Sequence, residues 1–178
     1  MRYPEQRGPP MKRHTLCLFA LFALFLAPAA VHAQIAIYGG FSAAPVSGAS
    51  RDLAYGGQVG AYKQTGHAVS LVSIGADLRG TFLSRDDFHY YTGAIGPRIA
   101  FKAPILPFRP YVEGLIGAGN VQNSGISHTN FNYQLVAGLD TTILPRIDWR
   151  VVEFDYSAVP GQSVYAKVFT TGLVVRIW

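Results

Sequence analysis

Ser127 and His128 stand side by side in the chain, and their types are those of a nucleophile and its base. A serine becomes nucleophilic when a histidine takes its proton and an acid orients that histidine, all within hydrogen-bond reach. Neighbouring residues on a predicted connection do not meet that geometry, so no catalytic residue is expected. His67 and His89 also fall in predicted connections, and no two of the three histidines have metal-ligand spacing. The stretch Gly114-Leu115-Ile116-Gly117-Ala118-Gly119 is glycine-rich like a phosphate loop but follows no βα unit. Its glycines are expected to let a strand bend and pack closely. Cys17 is the single cysteine, set in the apolar run 16–27 near the start. Past that run the chain has no means of forming a disulfide, a thiolate metal site or a cysteine nucleophile. Neither a metal nor a cofactor is expected.

The remaining chemistry is charge. Asp77, Arg79, Arg98, Glu113, Asp140, Glu153 and Arg176 sit within segments otherwise rich in glycine and small residues. Three positive and four negative side chains make a nearly balanced set, and opposite charges on neighbouring strands can neutralise one another where isolated ones would be costly to bury. Asp155 shares the parity of Glu153 and is expected near one end of the set. A structural network of ion pairs is favoured over catalysis, because charge networks are often only structural.

The elements that must position these charges are strands. After residue 33 the chain breaks into eight segments of alternating character, near 35–44, 54–64, 69–83, 90–102, 109–122, 133–144, 148–158 and 164–177. Membrane strands need about 9–11 residues, against about 5–6 for ordinary strands. In the third, Val72, Ile74, Ala76, Leu78 and Phe82 oppose Ser73, Gly75, Asp77, Arg79 and Thr81. In the fourth, Tyr91, Ile95, Ile99 and Phe101 oppose Thr92, Ala94, Gly96 and Arg98. The sixth sets Leu135, Ala137, Leu139, Thr141 and Ile143 against Gln134, Gly138 and Asp140, and the last sets Phe169, Leu173, Val175 and Ile177 against Thr170, Val174 and Arg176. A half-buried soluble sheet also alternates. The polar faces decide: only 14% of the chain is charged, too little for a water-washed face and suited to a narrow barrel interior. The apolar faces would then look out to lipid, with closure satisfying every backbone group.

The connections are read as Pro45–Leu53, Thr65–Ala68, Ser84–His89, Ala103–Phe108, Asn123–Asn132, Pro145–Ile147 and Val159–Ser163, the odd-numbered ones outermost. Aromatic residues near strand ends (Tyr38, Tyr55, Tyr90, Tyr91, Tyr133, Trp149, Tyr156, Tyr165, Trp178) are read as two interfacial girdles.

Residues 1–33 read as an export signal: a basic head at Lys12, Arg13 and His14, the apolar run 16–27, then Val31-His32-Ala33 before a cleavage point ahead of Gln34. The run is too short to span a bilayer. Met11 is an alternative start. No small residues precede Cys17, so lipidation is not expected. The signal removes Arg2, Arg7, Lys12 and Arg13 against Glu5, and with them most of the formal charge of +5. The basic balance is therefore no argument for nucleic acid. The remainder, 34–178, is expected to form one domain.

With these features assembled, the chain resembles the outer-membrane-protein-A-like family of eight-stranded barrels and its porin-family relatives. The residues that carry the resemblance are Ile37-Tyr38-Gly39-Gly40-Phe41, Arg109-Pro110-Tyr111-Val112-Glu113-Gly114, Trp149-Arg150-Val151-Val152-Glu153-Phe154 and Gly172-Leu173-Val174-Val175-Arg176-Ile177. The resemblance implies an all-β, antiparallel, up-and-down transmembrane barrel in a bacterial outer membrane. Its implied partners are outer-membrane lipid and the barrel assembly machinery, with a monomeric state. Such barrels usually end in an aromatic residue on the lipid-facing register, whereas here Trp178 follows an apolar register that ends at Ile177. The expected function is a non-enzymatic structural envelope role, as a small or closed pore. The alternatives are a surface-loop adhesin, a membrane-embedded lipid-modifying enzyme of the serine–histidine–acid kind, and, as the structural runner-up, a soluble lipocalin-like barrel.

Overall fold

The computed structural model describes residues 32–45, 53–66, 71–86, 88–102, 107–123, 126–162 and 164–177. Residues 1–31 of the expected signal, including Met11 and Cys17, lie outside them, as do His67 and Trp178.

Eight strands follow one another: β1 (His32–Pro45), β2 (Leu53–Gly66), β3 (Val72–Arg85), β4 (Phe88–Phe101), β5 (Phe108–Asn123), β6 (Ile126–Leu144), β7 (Ile147–Val159) and β8 (Val164–Arg176). Each pairs antiparallel with its neighbours in sequence, and β8 returns to β1, closing the barrel. The closing seam pairs Ala36 with Arg176 through to Ala43 with Phe169, a shorter run than the β5–β6 hairpin from Phe108↔Thr141 to Asn123↔Ile126. β1 begins two residues ahead of the expected cleavage point, so a strand starting at Gln34 keeps its pairing with Gln64.

The alternation that defines the strands also sorts their side chains. Ile74, Leu78, Ile95, Ile116, Leu135 and Leu173 are each more than half exposed on the outer wall. Asp77, Arg79, Arg98, Glu113, Asp140 and Glu153 are buried within. A soluble ligand-carrying barrel has the reverse arrangement, so the lipocalin-like alternative does not hold. Polar residues do not fill the whole bore. Toward the end bearing the β1–β2, β3–β4, β5–β6 and β7–β8 connections, Ala44, Ala54, Leu83, Tyr90, Val121, Val159, Ala166 and Val168 form an apolar cluster.

Three expectations are corrected. The fifth connection is not the stretch from Asn123 to Asn132: β6 starts at Ile126, and Val121 pairs with His128 in a hairpin continued beyond β7. Its residues Ser127 to Asn132 read as loop because they are polar, yet a hairpin outside an apolar layer needs no apolar face. Second, His89 lies within β4 and His128 within β6, not in connections. Third, Tyr38 and Tyr90 are buried inside the bore and belong to no girdle. Parity, not proximity to a strand end, decides where a tyrosine points. An outer aromatic band does exist near the loop-rich end, with Phe41 against Tyr55 at 6.2 Å, Phe82 against Tyr91 at 6.0 Å and Tyr156 against Tyr165 at 6.2 Å between ring centres.

Candidate functional site in the barrel lumen

The inward face of β3 brings Asp77 and Arg79 together, with Arg79 Nε 3.1 Å from Asp77 Oδ1. From there the guanidinium forks. Arg79 Nη1 donates to Glu153 Oε1 of β7 at 2.9 Å, and Nη2 donates to Glu113 Oε2 of β5. The other oxygen of Glu113 accepts from Arg98 Nη1 of β4, whose Nη2 donates to Asp140 Oδ2 of β6 at 3.1 Å. Asp140 Oδ1 in turn accepts from Arg150 Nε at 3.1 Å, and Arg150 Nη1 reaches Glu153 Oε2 at 2.8 Å. The circuit closes: arginine and carboxylate alternate through Arg79, Glu113, Arg98, Asp140, Arg150 and Glu153, with Asp77 appended. Arginine suits this task because its planar fork serves two carboxylates at once.

Tyrosines and a glutamine complete the ring. Tyr38 donates to Asp77 at 2.8 Å, Gln58 Nε2 donates to Glu153 Oε1 at 2.8 Å, and the Tyr111 hydroxyl donates to Glu153 Oε2. The Arg98 guanidinium lies between two rings, 3.6 Å from the centre of Tyr111 and 4.3 Å from that of Tyr62, and Arg150 sits 4.1 Å from Tyr38. These faces attract the cations where water is excluded. Tyr38 and Tyr111 hold their positions because the next strand has glycine beneath them: a Cβ on Gly60 would strike the Tyr38 ring, and one on Gly138 the Tyr111 ring. Gly138→Ala is therefore expected to displace Tyr111 and destabilise the barrel by about 1–3 kcal/mol. Gly114→Ala, with open space at its Cβ, should leave the midpoint of urea unfolding in micelles unchanged.

Of the charges expected in the lumen, Asp77, Arg79, Arg98, Glu113, Asp140 and Glu153 meet in this ring. Arg176 does not. It lies at the mouth on the chain-terminal side, 3.1 Å from Asp148 Oδ1, where Asp148 also pairs with Arg109. Arg150 and Asp148 escaped the sequence reading, since strict alternation from Glu153 turns both outward. A bulge between Arg150 and Glu153 shifts the register of β7 against β8, and β6 skips Val151 at the same place. The extra residue brings Asp148 and Arg150 to the inner face. The signal available was the lone Arg150 among apolar residues. Asp155 is buried on the ring's side of the wall but pairs with none of its arginines.

The remaining candidates lie apart from this ring. Ser127 Oγ shares hydrogen bonds with the Asn120 amide, and successive strand residues point to opposite faces, which separates it from His128. The Gly114–Gly119 stretch is the middle of β5. A Cβ on Gly117 would meet the Gly93 carbonyl and Ala94, so this glycine serves close strand approach. Among the described residues no cluster of His, Asp or Glu has the form of a metal site.

A closed wall of eight antiparallel strands, apolar outside and charged within, has solved counterparts. Neisserial surface protein A superimposes with a TM-score of 0.58 at 15% identity, over 80% of this chain and 97% of that one. Ail, the attachment invasion locus protein of Yersinia pestis, gives 0.55 at 19% identity, over 81% and 98%. The chain folds as an eight-stranded outer-membrane β-barrel. The barrel is also similar to the outer membrane enzyme PagL, with a TM-score of 0.50 at 13% identity over 78% of this chain and 98% of that one. The likeness is one of fold. No protein-family model matches the chain, and no curated protein matches it in sequence.

Proposed function

We propose that this chain is a structural, non-enzymatic barrel of the bacterial outer membrane whose bore is sealed. It is delivered by a signal in residues 1–33, inserted as a monomer by the barrel assembly machinery, and held in lipid by its outer wall. The ring of alternating charges carries this reading. Arg79, Arg98 and Arg150 span the interior between carboxylates from β3, β5, β6 and β7, leaving ions no continuous path. An eight-stranded interior is just wide enough for side chains to fill. The apolar cluster around Leu83, Tyr90 and Val159 adds a second barrier, since a dry constriction resists ions by itself.

In planar bilayers the native barrel is expected to show no steady conductance. Arg98→Ala combined with Arg150→Ala leaves carboxylates unpaired and should loosen the ring and admit cations. Large, stable channels in the unmodified protein would overturn the sealed reading. The β5–β6 hairpin supports a second one: it extends past β7 with Ile126 and Phe131 exposed, a surface on which an outer-rim partner could settle.

A further inference from the structure

Between the charge ring and the apolar cluster the bore holds a layer of oxygen atoms that have no hydrogen-bond partner among the described residues. Gln58 faces Thr81 directly across β2 and β3, and Thr81 faces Thr92 across β3 and β4. Gln134 reaches over from β6, its Nε2 3.0 Å from Thr92 Oγ1. Asp155 is the diagonal neighbour of Gln134, since β7 sets Ser157 opposite Gln134 and Asp155 opposite Val136. One step down the same face of β7 is Glu153, which accepts the amide of Gln58. These pairings and contacts set β2, β3, β4, β6 and β7 against one level of the bore.

Four side chains around it are 1% exposed: Gln58, Thr81, Gln134 and Asp155. Gln58 Oε1, Thr81 Oγ1, Gln134 Oε1 and Asp155 Oδ1 are all buried and have no hydrogen-bond partner among the described residues. Gln58 Oε1, Gln134 Oε1 and Asp155 Oδ1 can only accept, and the Thr81 hydroxyl can accept as well as donate. Unmatched nitrogens lie elsewhere: Arg98 Nε and Arg150 Nη2 belong to guanidiniums packed on tyrosine rings, Arg176 Nε is beside Asp148, and His89 Nδ1 is on β4. The amide of Gln58 is held in orientation, because the carboxylate of Glu153 can take only its nitrogen. Charge points the same way. The three ring arginines are all engaged by Asp77, Glu113, Asp140 and Glu153, so none is left over for Asp155. Arg79, the ring arginine closest in register, already serves three carboxylates. Water can satisfy hydrogen bonds there, but only a proton or a cation balances a buried carboxylate.

We propose that this layer is a binding site for one small monovalent cation, with Asp155 as the charged ligand and Gln58, Thr81 and Gln134 as neutral oxygen ligands. Oxygen donors select hard cations. A single carboxylate matches a single positive charge, whereas calcium sites draw on several. The ion turns a liability of the interior into a cross-link among β2, β3, β6 and β7.

The test uses the whole protein refolded from urea into micelles at pH 8, in sodium chloride or in N-methylglucamine chloride at equal ionic strength. With sodium at about ten times its dissociation constant, the unfolding equilibrium constant should fall roughly tenfold relative to N-methylglucamine. Asp155→Asn keeps the shape, removes the charge and should abolish the sodium effect while the barrel still runs as a heat-modifiable band. Thallium, which scatters anomalously, should appear beside Asp155 in crystals grown from protein refolded with it. Three results overturn the proposal: a native barrel indifferent to sodium, calcium stabilising it more than sodium, or an Asp155→Asn barrel that still responds. A native barrel stabilised by lowered pH but not by sodium would assign the layer to a proton. If Asp155→Asn does not fold, Thr81→Val takes its place, with a weakened sodium response expected.

Discussion

Glu153→Ala is expected to destabilise the folded barrel by about 3–5 kcal/mol, the usual result of breaking a buried ion pair from one side. Glu153 is fully buried and takes four donors, from Arg79, Arg150, Gln58 and Tyr111. Its removal leaves two guanidiniums each short of a carboxylate and frees a tyrosine hydroxyl. The measurement is the urea midpoint of refolded protein in micelles or short-chain lipid. Asp86→Ala is the control. Asp86 pairs with Arg85 at 3.5 Å, but its side chain is 86% exposed, and such surface pairs contribute little. Equal effects of the two substitutions would mean that the ring is open to solvent and is no seal.

Leu78→Arg should be nearly as damaging, for a reason on the other side of the wall. Leu78 is 58% exposed at mid-strand, paired with Ala61 and Ile95. An arginine on the lipid face costs about 2–4 kcal/mol near the bilayer midplane and about 0–1 near the interfaces. Ile126 is still more exposed at 64%, but it starts the hairpin that outruns β7. Ile126→Arg should therefore leave bilayer folding intact. Folding yield into liposomes, read from the heat-modifiable band, separates the two. Similar losses at both sites would mean that the apolar belt extends over the hairpin; no loss at either would mean that the belt does not face lipid.

The faces of β3, β4 and β8 were legible from alternation alone, because an unbroken strand reports its two sides through every second residue. That legibility ended at the β7 bulge. Glu153 and Asp155 could be assigned inward, whereas Arg150 and Asp148 required knowing that one residue is inserted between them and Glu153. Period two carries no mark of where it skips. Tyrosine was the other blind spot, since the same side chain suits a lipid boundary or a guanidinium in the bore. Tyr38, Tyr62 and Tyr111 were told apart from Tyr55 and Tyr165 only by their strand neighbours. The opposing glycines, Gly60 and Gly138, were visible in the sequence, but only cross-strand register connects them to those rings.

The short β1–β8 seam has a consequence in time. The charges of the ring come from β3 through β7, and neither β1 nor β8 contributes one. The middle of the sheet can thus settle its ion pairs while its two outer strands are still apart. The hem joins over Ala36–Ala43, with the Ser42–Thr170 hydroxyl contact at 2.7 Å across it. The fastening that completes the cylinder is thus its lightest, and heating is expected to part this wall first.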